Sequence, residues 1–92
     1  MVAIRIYQPV AAHLGCETPG GFTLDVPVTG MVRLDDVLGS YVGCEYDLAE
    51  LAYGEYGAAC MIAVNGRFVR DGVCTEVIDG DEVSVFRVIS GG

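Results

Sequence analysis

Between Asn65 and Gly80 the chain carries three turn dipeptides, Asn65-Gly66, Asp71-Gly72 and Asp79-Gly80. Such dipeptides accept the positive φ that tight two-residue reversals need. Segments punctuated this closely leave no room for an ordinary helix, so the last third must be built from short strands. Cys60-Met61-Ile62-Ala63-Val64 ends at the first reversal and reads as a strand. Arg67-Phe68-Val69-Arg70 is its short return, Thr75-Glu76-Val77-Ile78 leads to the last reversal, and residues 82–89 form a final strand.

The first half supplies the complement. Val2, Ile4 and Ile6 alternate with Ala3, Arg5 and Tyr7, the period-two signature of a strand with one buried face. Pro9, at a first helical position, opens a two-turn helix that carries Val10 and Leu14 and stops at Gly15. Phe22, Leu24, Val26 and Val28 alternate again, and Pro27, which cannot donate to a ladder, assigns this second strand to a sheet edge, antiparallel to the first. Leu34, Val37, Leu38 and Tyr41 then follow the i, i+3, i+4, i+7 spacing of an amphipathic helix over 31–41. Asp35 and Asp36 fall in its first turn, where the helix dipole favours negative charge. Adjacent helical side chains diverge by about 100°, so the pair reads as a helix start rather than as paired acid–base catalysts. Gly39 costs this helix about 1 kcal/mol against alanine with no local reason. Leu48, Leu51 and Ala52 predict a shorter helix over 46–53, broken by Gly54 and Gly57, with Tyr46, Tyr53 and Tyr56 packed under the adjoining loop.

Ninety-two residues make a single domain, 1–92, with residues 88–92 expected to form a flexible tail. Thirteen acids against five bases give a net charge of −8, which argues against nucleic acid and favours a basic protein partner. No apolar run is long enough to span a membrane, and the N-terminus lacks the features of a signal peptide, so a cytoplasmic location is expected. Cys16, Cys44, Cys60 and Cys74 contain no C-x₂-C pair and no C-x₄-C-x₂-C cluster pattern, so reduced, partly buried thiols and no metal are expected. His13, the one histidine, has no nucleophilic or acidic neighbour in a catalytic pattern and reads as a surface residue.

The order strand, strand, helix, strand, short strand, final strand is that of the β-grasp or ubiquitin-like fold. The class is therefore α+β, a mixed sheet of four to five strands on one main helix, with one or two short extra helices. The final strand runs without a linker into Ser90-Gly91-Gly92. A tail without side chains can thread a narrow channel and present its carboxylate there. Together with Val64-Asn65-Gly66 and Ile78-Asp79-Gly80-Asp81-Glu82-Val83, this ending resembles the small ubiquitin-like sulfur carriers. Ile4-Arg5-Ile6-Tyr7, followed by a short helix ending at Leu14-Gly15, is most similar to the small subunit of molybdopterin synthase. Arg87-Val88 stands where that branch commonly carries Pro-Pro.

The resemblance implies that Gly92 is the reacting residue, with Gly91 and Ser90 as its tail. A ubiquitin-activating-type enzyme would use ATP and Mg²⁺ to adenylate the Gly92 carboxylate, and sulfur would replace the adenylate to give a thiocarboxylate. No cofactor would be held tightly by the chain, and no catalytic side chain is needed from it. The acceptor would be the molybdopterin synthase large subunit or another sulfur-accepting enzyme, since related carriers serve thiamine precursors, transfer RNA, cysteine or homocysteine. Conjugation to protein lysines and a non-covalent adaptor role are the competing classes. Period-two arithmetic turns Val2, Ile4, Ile6, Ile62, Val64, Val83 and Val85 toward the helix and Tyr7, Met61, Ala63, Phe86 and Val88 to the opposite face. The resemblance assigns Tyr7, Met61, Phe86, Arg87 and Val88 to partner binding.

Overall fold

The alternation in residues 2–7 becomes β1 (Val2–Ile6), with Val2, Ile4 and Ile6 fully buried. The computed structural model describes residues 1–87. β2 (Phe22–Val26) pairs antiparallel with β1 in the register Ile4↔Leu24, so apolar side chains meet on one face. β4 (Met61–Val64) and β5 (Arg67–Phe68) form a hairpin, and β7 (Glu82–Phe86) lies between β1 and β4. The sheet order is β2-β1-β7-β4-β5, parallel only between β1 and β7. This mixed five-stranded sheet, covered on one face by helices, is the expected β-grasp, with β2 at the edge where Pro27 follows it.

The inner face carries Val2, Ile4, Ile6, Ile62, Val83 and Val85, all at most 2% exposed. Each such side chain contributes about 1.5–3 kcal/mol when buried, so a charge at any of them would open the core. Against this face lies α2 (Leu34–Ser40), through Leu34, Val37 and Leu38. The helix is shorter than the predicted 31–41 because Val32 and Arg33 are taken into a small strand, β3 (Val32–Arg33), paired with β6 (Glu76–Val77). That second sheet was not anticipated; Val32 faces Val77 across it, and Arg33 faces Glu76.

α1 (Val10–His13) follows β1 but is one turn rather than the expected two, with Pro9 and Leu14 as its caps and Gly15 beyond it at φ +108°. α3 (Leu48–Tyr53) confirms the short helix, but Gly57 does not break the chain. It lies inside α4 (Glu55–Ala59), an extra helix. A Cβ at Gly57 would meet the backbone of Leu51, with Leu51 Cα at 2.6 Å, so glycine is what lets α4 fold back on α3. The main helix therefore has three short companions, α1, α3 and α4, rather than one or two. A 3₁₀ turn over Gly72–Cys74 follows β5, which ends at Phe68 rather than Arg70. The final strand ends at Phe86; the remainder of the predicted 82–89 segment beyond Arg87 lies outside the described residues.

Asn65 (φ 52°) and Gly66 (φ 83°) form the predicted reversal. The Asn65 side chain also donates to Asp81 Oδ1 at 2.9 Å and accepts the Glu82 amide at 2.8 Å. Asp81 Oδ2 in turn accepts the Ile78 amide at 2.9 Å. The two sequence motifs, Val64-Asn65-Gly66 and Ile78–Val83, are thus one hydrogen-bonded unit that sets the start of β7.

Candidate functional site

The far end of β7 gathers most of the described candidate residues. Antiparallel pairing sets Met61 opposite Phe86, and the parallel ladder continues past β1 with the Tyr7 amide donating to the Val85 carbonyl at 3.0 Å. Period two then turns Phe86 and Tyr7 away from the core. Tyr7, Phe86 and Arg87 border one open depression of about 490 Å³, floored by Ala63 and Ser84. Tyr7 is 39% exposed, whereas Met61 and Phe86 are half-buried. Ala63, expected on the exposed face, is buried, with Ser84 and Phe68 as its ladder partners on either side.

Phe68 belongs to this surface and was missed. It is 65% exposed, and its ring meets Phe86 at 5.5 Å between centroids in a tilted arrangement. The signal was available, because a two-residue Asn-Gly hairpin pairs residue 63 with 68 and so places both on one face. The result is an aromatic patch of Tyr7, Phe68 and Phe86 on a strongly acidic chain. Exposed apolar clusters of this kind mark contact surfaces. Arg5 lies over the Tyr7 ring at 5.0 Å, adding positive charge at the same end.

Arg87, assigned to partner binding, has an intramolecular contact. Its guanidinium carbon lies 4.7 Å from the centre of the Tyr56 ring on α4. His13 stacks on the same ring at 3.7 Å and 6°, and its Nε2 lies 3.6 Å from Glu50 Oε1. The expected surface histidine is therefore a half-exposed brace rather than a catalyst. Cys60 lies beside this group and donates to the Tyr56 carbonyl at 3.2 Å; burial pushes its thiol up, against the lowering effect of the Arg87 charge. Val88, Ser90, Gly91 and Gly92 lie outside the described residues.

Away from this end, Asp35 is bound by Arg33 through two hydrogen bonds of 3.1 and 2.7 Å, which hold its carboxyl below the usual range against the opposing effect of burial. This ion pair and the Asp36 amide, which donates to Asp35 Oδ1 at 2.8 Å, occupy the carboxylate structurally. Among the described residues no group of three His, Cys, Asp or Glu side chains is placed to hold a metal ion. Nor is any helix among them long and apolar enough to cross a membrane.

A family model described as the ThiS family matches residues 42–92. The match runs from the segment before α3 through β7 and includes Gly91-Gly92; it leaves β1 to α2 unmatched. No curated protein and no solved structure matches the chain. With more than half of the chain covered and a β-grasp sheet on the page, the protein belongs to the ThiS family of ubiquitin-like sulfur carriers.

Proposed function

We propose that the Gly92 carboxylate of this sulfur carrier is converted to a thiocarboxylate and serves as the sulfur donor of a molybdopterin synthase-type complex. The observation that carries the reading is the position of β7. The strand leading to Gly91-Gly92 is the middle strand of the sheet, and an aromatic patch flanks the end where it finishes. Support for the molybdopterin branch comes from α1, the short helix between β1 and β2 that the sequence shares with that small subunit.

The chemistry follows from the carboxylate. With a pKa of about 3.3–3.7 it is ionised at neutral pH and a poor electrophile. An adenylating enzyme with ATP and Mg²⁺ would join it to AMP and release pyrophosphate. A sulfur nucleophile at the sulfide oxidation level then displaces AMP. The thiocarboxylate that results is a soft nucleophile, ready to pass its sulfur to an acceptor and return to the carboxylate. The chain's own part is to bind the partners and present the terminus.

Arg87-Val88, in place of the Pro-Pro of that branch, favours a second reading in which the same thiocarboxylate serves thiamine, transfer RNA or thiol amino-acid synthesis. Incubation with an adenylating enzyme, ATP, Mg²⁺ and a sulfur source, followed by intact mass measurement, tests both. Exchange of one oxygen for sulfur at the C-terminus, lost on deletion of Gly92, is expected. Adding a molybdopterin precursor or a thiamine precursor with its cognate enzyme then separates the acceptors. A chain that stays a carboxylate with a competent activating enzyme present would refute the proposal.

A further inference from the structure

The chain has five basic residues, all arginines, against thirteen acids. Among the described residues, the Arg87 guanidinium lies over the face of Tyr56 at 4.7 Å. Because His13 covers one side of that ring at 3.7 Å, the guanidinium is left with the other. Three elements distant in sequence, α1, α4 and the end of β7, are therefore joined through a single half-buried ring. Gly57, the next residue along, is the position that lets α4 lie close enough to α3 for this to happen. Arg87 directly precedes residues 88–92 in the sequence, so whatever holds it acts at the root of the terminal segment.

We infer that Tyr56, braced by His13, is a positioning residue for the tail. It holds the Arg87 guanidinium at the root of the terminal segment and thereby biases how that segment is offered to the activating enzyme. The inference rests on the sulfur-carrier reading for its functional consequence, but the contact itself does not depend on it. An Arg held on an aromatic face at a partly exposed site gains enough to shift a two-state equilibrium about two- to fivefold. That is a modest bias, suited to a tail that must still enter an enzyme's channel.

Trypsin provides a test that needs no partner. It cuts after arginine only when the side chain leaves its contacts and enters the protease pocket, so cleavage at Arg87-Val88 reports release from Tyr56. Cuts at Arg67 and Arg70 in the same digest are internal controls. Tyr56→Leu and His13→Ala should raise the Arg87 rate relative to those controls by about two- to fivefold, whereas Tyr56→Phe, which keeps the ring, should match the wild type. Equal ratios in all four proteins, or Tyr56→Phe behaving like Tyr56→Leu, would overturn the contact. If Tyr56→Leu is cut everywhere at once and so is unfolded, His13→Ala and Tyr56→Phe decide.

The second arm is ATP–pyrophosphate exchange with the adenylating enzyme. Tyr56→Leu or His13→Ala should raise the KM for the carrier about two- to fivefold with kcat unchanged, and Tyr56→Phe should restore it. An unchanged or lowered KM overturns the positioning role. No exchange with the wild-type chain refutes the sulfur-carrier reading, and with it the role assigned to Tyr56, while leaving the trypsin result to stand for the contact.

Discussion

Replacing Gly57 with alanine sets two effects of known size against each other. Gly57 lies inside α4, and helix propensity alone makes alanine more stable there by about 0.8–1 kcal/mol. Against that, the new methyl would meet three backbone atoms of Leu51, with the carbonyl carbon at 2.5 Å and Cα at 2.6 Å. Leu51 is fully buried, so its backbone cannot retreat without moving the core. Overpacking of a well-packed interior costs about 1–3 kcal/mol, and contact with rigid backbone belongs at the upper end. The net expectation is a loss of about 2 kcal/mol. With an m-value near 1 kcal/mol/M for a chain this small, the urea midpoint should fall by about 2 M. Gly39→Ala is the matched control. Its new methyl would also meet a side chain closely, Tyr53 Cζ at 2.6 Å, but Tyr53 is 70% exposed and can swing into solvent. That variant should keep the helix gain and be neutral or more stable by up to about 1 kcal/mol. Urea melts of both variants decide. A Gly57→Ala midpoint at or above the wild type would show that α4 is not wedged against α3, and the account of Tyr56 would lose its support.

Three further outcomes are expected. Asp35 has a depressed pKa, so its ionised form adds stability that is complete above the ordinary value of 3.8 and lost as pH falls through the lower folded value; the stability gap between wild type and Asp35→Asn, read from melts at pH 7 down to pH 2.5, should therefore close below about pH 4. Asn65→Ala removes two side-chain hydrogen bonds and puts at φ 52° a residue that tolerates the left-handed region less well than asparagine, and should cost about 1–2 kcal/mol in a denaturant titration, with amide exchange of Glu82 accelerated. Phe68→Ser alters an exposed ring and should leave stability within about 0.5 kcal/mol, while weakening calorimetric binding to the adenylating or acceptor enzyme roughly tenfold if the aromatic patch is the contact surface.

The parts of the fold that were legible in the sequence are those whose cause is local. Alternation in Val2–Tyr7 needs only period two, and Asn65-Gly66 needs only positive φ, so both could be read without knowing what they touch. The reason for Gly57 lies across space, in the Leu51 backbone, and a glycine read alone looks like a breaker. The same blindness hid α4, and with it the Tyr56 ring between His13 and Arg87. β3 and β6 were hidden differently, since two-residue strands such as Val32–Arg33 and Glu76–Val77 carry no period to detect. On the candidate site, Tyr7, Met61 and Phe86 followed from pairing parity. Arg87 was assigned to a partner through the resemblance, and the ring that receives its guanidinium within the chain was not legible in the sequence.

The charge at this end of the molecule differs from the charge of the whole. At physiological ionic strength electrostatic interactions between exposed groups fade beyond about 8 Å, so a group beside the end of β7 feels its neighbours rather than the net −8. Two of the five arginines stand there, Arg5 over Tyr7 and Arg87 over Tyr56. Cation–π contacts hold a guanidinium in place without neutralising its charge, as a salt bridge would. The end of β7 is thus locally positive on a chain whose remainder is acidic, a division of charge that suits a partner surface of mixed sign.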